Sequence, residues 1–126
     1  MQILFLANII VAGIVGILSL GFPAIAARTV FQSTAISSPA MTITGAFWTA
    51  IAVLSAVGFF FPIQLSAVLL VQLLYKGFWL AVVALPAVLR GETSRLPAGI
   101  AVFFLIWVLV IPLVYPWRSI FAPAQG

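Results

Sequence analysis

The sequence predicts an all-α polytopic membrane protein, a single domain of four transmembrane helices in an up-and-down bundle. Three observations lead there. Of 126 residues, 66% are hydrophobic and only 5% are charged, whereas soluble domains carry roughly 25% charged residues. Such a chain has too little polar surface to face water. Four apolar stretches have, or nearly have, the length of about 20 residues that a helix needs to cross the hydrocarbon. Proline punctuates them at Pro23, Pro62, Pro97 and Pro116, and a residue without an N–H group belongs where helices start or stop.

The spans follow in order. The first covers residues 2–22. The "PAIAA" that comes after it has the small residues of a leader cleavage site. A charged region ahead of the apolar run is missing and the run is too long, so the segment reads as a retained span. The second span covers 41–61, the third 65–89 and the fourth 98–117. Pro86 and Pro112 fall inside the third and fourth spans near their ends, where each should kink the last turns. Ala12 and Gly16 on the first span, and Gly45 and Thr49 on the second, form small-xxx-small pairs that favour close helix approach.

Charge gives an orientation. The net charge of +4 comes from Arg28, Lys76, Arg90, Arg95 and Arg118 against the single acid Glu92. The arginines stand singly at span ends, where with Trp117 they act as interfacial anchors. A nucleic-acid surface would need them clustered, so no nucleic-acid partner is expected. Arg28, Arg90 and Arg95 lie in the first and third connections, and only Arg118 lies on the other side. The positive-inside rule then puts those two connections in the cytoplasm of a bacterial inner membrane, with both termini on the non-cytoplasmic side.

The chain has no cysteine, histidine or aspartate. Disulfides, thiol redox chemistry and zinc sites built on Cys or His ligands are therefore excluded, and the usual haem ligand is absent. We expect no metal and no covalent cofactor on these side chains. Lipid, quinone or pigment held by apolar contact stays open, and eleven phenylalanines and four tryptophans would supply the surface.

The residue that raises a functional question is Lys76, in "VQLLYKGFWL". At the helical rise it lies about 17 Å from Leu65 and about 20 Å from Leu89, close to mid-membrane. An ammonium there costs about 2.5–3.5 kcal/mol, and an intramembrane charge is a functional hypothesis by default. Glu92 is too far along the chain to pair with it, so the acceptor is expected outside the chain. Gln72 at i−4 can accept a hydrogen bond, Trp79 at i+3 can offer its ring face, and Tyr75 flanks the group. Counting depth from the span ends adds Asn8, Thr49 and Ser55, with Trp48 and Trp107, to one polar layer through the bundle. For Asn8, Thr49 and Ser55 the plainer reading is helix-to-helix hydrogen bonding.

Three classes of function were weighed. Catalysis lacks a second acid, base, metal or thiol beside Lys76. A small transporter or channel, acting as an oligomer with Lys76 in its pathway, is the alternative reading. The favoured one is a small non-catalytic accessory or structural subunit of a larger membrane complex. It would touch partner helices, a second copy of itself, lipid, pigment or quinone within the bilayer. In layout, carried by "LSLGFPAIAAR" and "LLYKGFWLAVVALP", the chain resembles the DoxX-like group of small four-helix bacterial membrane proteins. That resemblance implies four spans with short connections and association with membrane redox complexes, and it assigns no functional residue.

Overall fold

The computed structural model describes residues 1–31 and 38–122, with the backbone alone at Ser38 and Arg95. Every regular element among them is helical. Helix α1, Gln2–Gly21, stops where Phe22 leaves helical geometry at φ −136° and ψ 64°. Pro23 then opens a second, short helix, α2, Pro23–Thr29. The sequence predicts only a connection here, and the structure adds a helix. Proline at the first turn and the alanines behind it explain the extra helix, since both are favourable there. Ala26 and Ala27 are buried against Met41.

Helix α3, Ser38–Phe60, begins before the expected residue 41, again with a proline, Pro39, in its first turn. A tight turn follows, closed where Ser66 Oγ donates to Ile63 O at 2.8 Å. Then comes one rod, Ala67–Leu89, made of α4, Ala67–Trp79, a π-helical stretch Leu80–Ala84, and α5, Leu85–Leu89. The N–H of Leu85 reaches back five residues to Leu80 O. Pro86 accounts for this. It has no N–H to donate, and its ring crowds the carbonyl four residues earlier, so the helix widens by a residue just before it.

After Arg90 the chain reverses through Gly91, whose φ of 71° suits glycine, and a 3-10 turn at Thr93–Arg95. Helix α6 is Ala98–Val114, and a last turn, α7, is Trp117–Ile120. The expected continuation of the fourth span through residue 117 does not occur. Tyr115 precedes Pro116 and is therefore pushed into extended geometry, with ψ 135°.

Three of these helices, Gln2–Gly21, Pro39–Phe60 and Ala67–Leu89, are long and apolar enough to cross a membrane. They make this a helical membrane protein. Ala98–Val114 is apolar but shorter, with 17 residues, or about 26 Å at the helical rise. The side chains are distributed as lipid demands. Ile3, Ile10, Ile14 and Ile17 of α1 are exposed, while Asn8, Ser19, Ser55, Gln72 and Lys76 are buried.

The bundle is built from two antiparallel pairs. Helix α1 lies along α3 for most of its length, and α4 packs on α6. Small residues set the first contact. A Cβ placed on Gly16 would lie 2.5 Å from Thr49 Oγ1, and one on Gly45 would lie 2.6 Å from the backbone nitrogen of Leu20. One on Gly58 would enter the Phe5 ring at 2.6 Å. The helix contact expected from the two small-xxx-small pairs is therefore made, and it is made between α1 and α3. Helices α3 and α4 approach each other less closely and meet beyond their tight turn through rings, Phe47 and Trp48 against Tyr75.

Candidate intramembrane binding site

Lys76 is 1% exposed. Its Nζ donates to Gln72 Oε1 at 2.6 Å, one helical turn back on the same face. Five rings surround the same nitrogen, with centroids between 5.0 and 5.7 Å away: Trp48 from α3, Tyr75 from α4, and Phe103, Phe104 and Trp107 from α6. That is within the range of about 6 Å in which a ring quadrupole attracts a cation. A hydrogen bond to a charged group contributes about 1.5–3 kcal/mol, and a desolvated cation–π contact up to about 2 kcal/mol. These terms are as large as the insertion cost of about 2.5–3.5 kcal/mol. The chain thus encloses the ammonium by itself, with Gln72 as an acceptor of its own. Burial turns Nζ away from any outer helix surface that a partner could cover.

The cage is held by Phe104. This ring stacks on Trp48 at 6.4 Å and meets Tyr75 edge-on at 5.8 Å and Trp79 edge-on at 5.3 Å. The contacts join the α1/α3 pair to the α4/α6 pair through aromatic rings. On the far side of the same rings lies a cleft of about 650 Å³, bounded by Ile43, Thr44 and Phe47 of α3, Trp79 and Val83 of the third span, and Ile100 of α6. Phe31, Leu96 and Pro97 close the end next to the connections. Trp48, Tyr75 and Phe104 belong to both features: they wall the cleft and cage the lysine. The cleft lies between α3 on one side and the third span with α6 on the other.

The sequence-derived residues divide as follows. Gln72, Tyr75 and Trp107 lie against Lys76 as expected. Trp79 does not supply one of the five caging rings; it faces the cleft and packs on Phe104. Thr49 has the expected depth but the wrong face. Its Oγ1 donates to Gly45 O at 2.7 Å and it packs on Gly16, while Trp48, a step of about 100° away around the helix, takes the side toward Lys76. Asn8 and Ser55 are buried, and Asn8 Nδ2, Ser55 Oγ, Gln72 Nε2, Tyr75 Oη and Trp107 Nε1 have no hydrogen-bond partner among the described residues. The anchors Arg28, Arg90, Trp117 and Arg118 are exposed at helix ends. Trp117 Nε1 donates to Pro112 O at 2.8 Å, and the side chain of Arg95 lies outside what is described.

Phe103 and Phe104 were missed. For Phe104 the signal is the spacing of Ile100, Phe104, Trp107 and Ile111, which marks the buried stripe of α6. Half-buried Phe103 lies beside that stripe, and in a span apolar all round neither stands out. The chain matches no protein-family model, no curated protein and no solved structure.

Proposed function

We propose that this chain is a four-span integral protein of a bacterial inner membrane, with both termini on the non-cytoplasmic side. In this reading it serves, without chemistry of its own, as an accessory subunit that receives an apolar group from the membrane. The observation that carries this reading is the cleft of about 650 Å³ whose inner wall is also the lysine cage. Its volume falls in the range of about 300–1,000 Å³ typical of ligand sites. The cage needs a fixed arrangement of rings, so the wall is rigid before anything binds, and a preorganised wall lowers the entropic cost of binding. Lipid, quinone, pigment or a side chain of a partner helix or second copy all suit such a wall. The resemblance to the DoxX-like group favours a place in a membrane complex.

Val83 is half-exposed at the cleft, so Val83→Trp fills the space without entering the core. Native purification in mild detergent followed by mass spectrometry is the test. The variant should lose a co-purifying molecule or protein that the original chain retains, and an unchanged set would overturn the reading.

The transport reading draws on a different observation, the buried polar atoms of Asn8, Ser55, Gln72 and Trp107. Intramembrane polar groups of this kind mark pathways when they are hydrated. Ion or solute flux through reconstituted vesicles, lost in Lys76→Met, would favour it over the accessory role.

A further inference from the structure

We infer that the cleft takes the acyl chain of an anionic phospholipid, whose headgroup sits at the arginines by the first and third connections. This deepens the reading of the cleft as a binding site and rests on it. Size comes first. A helix with its side chains is about 10–12 Å across, or roughly 80–110 Å² in section, so a space of about 650 Å³ would hold little more than one turn of it, whereas a hydrocarbon chain is far thinner.

Polarity agrees with a chain. The hydroxyl of Tyr75 is buried, Lys76 is enclosed behind its rings, and Thr44 Oγ1 is turned back to Ala40 O at 2.9 Å. The cleft therefore presents ring and aliphatic surface, and its occupant needs no polar group along the buried length. Ile43, Phe47 and Val83 are all exposed at its edge, so the way in is sideways from the lipid, between α3 and the π-helical stretch of the third span.

Charge supplies the headgroup. Phe31 and Leu96, at one end of the cleft, follow closely on Arg28 and Arg95 in the chain, and Arg90 is at the end of α5. Arg28 and Arg90 are exposed. Arg28 and Arg90 against the one acid, Glu92, leave this end positive. A chain seated against Trp48 and Phe104 brings its phosphate to that end.

The test uses Trp48, which is only 4% exposed and lines the cleft. In a chain carrying Trp79→Phe, Trp107→Phe and Trp117→Phe, Trp48 is the sole tryptophan. It is reconstituted in phosphatidylcholine vesicles containing phosphatidylglycerol brominated on its acyl chains, and its fluorescence quenching is read. Quenching should exceed that by brominated phosphatidylcholine at equal mole fraction, and Arg28→Gln or Arg90→Gln should each weaken the preference by about fivefold. Native mass spectrometry of the unmodified chain from the same vesicles, which does not depend on the triple variant folding, should show retained phosphatidylglycerol that Val83→Trp loses. Equal quenching by both lipids would overturn the anionic-lipid inference while leaving the cleft a binding site. Absence of quenching by either, with cysteine cross-links through the cleft between two copies, would overturn it in favour of self-association. Absence of quenching, with an unchanged co-purifying set in Val83→Trp, would sink the functional reading as well.

Discussion

The Nζ of Lys76 lies 5.6 Å from the centre of the Phe104 ring, and the same ring closes one side of the cleft. Charge and cleft thus share a wall, and removing that wall should disturb both. Phe104→Ala should cost about 3–5 kcal/mol, as buried aromatic truncations do, and should lower the midpoint of thermal unfolding in detergent. A variant that kept both its midpoint and any lipid retained by the original chain would show that the ring does not hold cage and cleft together.

Gln72 supplies the hydrogen-bond acceptor for Lys76 Nζ. Gln72→Leu leaves the cation with rings alone and should destabilise the fold by about 1–3 kcal/mol, the cost of an unmet buried group. Lys76→Met keeps the length, removes the charge and should be neutral or stabilising, since replacing a buried charge by a well-packed apolar residue often is. The double variant should then be milder than Gln72→Leu alone. Strict additivity in a double-mutant cycle of unfolding free energies would refute the coupling.

The glycines of the α1/α3 contact give a graded prediction. A Cβ on Gly13 would meet the nearest side-chain atom at an ordinary 3.9 Å, but on Gly16 it would lie 2.8 Å from the Thr49 backbone. Gly13→Ala should be tolerated. Gly16→Ala should cost about 1–3 kcal/mol, the range for overpacking. Thermal midpoints of the two variants in one detergent decide the matter, and equal values would contradict the register described for these helices.

Topology can be read with single cysteines, since the chain has none of its own. If α6 crosses the bilayer, Thr93→Cys and Ser119→Cys label from opposite sides. With the arginine-rich connections in the cytoplasm, Thr93→Cys is reached only from inside. Labelling of both positions from one side would remove the fourth span, and labelling of Thr93→Cys from outside would invert the orientation.

Composition alone determined that this is a helical membrane protein. In hydrocarbon the protein itself must satisfy each backbone N–H and C=O, and an apolar run of about 20 residues does so as a helix. Some of their ends were legible because proline acts locally: Pro97 opens the last long helix where expected, whereas the helix that Pro23 opens and the early start of α3 at Pro39 fall where the sequence predicts only connection. The same local rule, applied to Tyr115 before Pro116, would have ended the fourth helix at Val114. The bond of Lys76 to Gln72 was legible too, since i−4 spacing is a property of one helix. What only the tertiary structure decided was the rotation of each helix about its axis and the angle between neighbours. Those settings turned Trp48 rather than Thr49 toward Lys76, brought Phe103 and Phe104 into the cage and sent Trp79 to the cleft. In spans that are apolar all round, hydrophobic periodicity carries little information about which face turns inward. The close fit of Gly16 to Thr49 and of Gly58 to Phe5 chose those faces instead, because in lipid it is packing, and not withdrawal from water, that sets how helices meet.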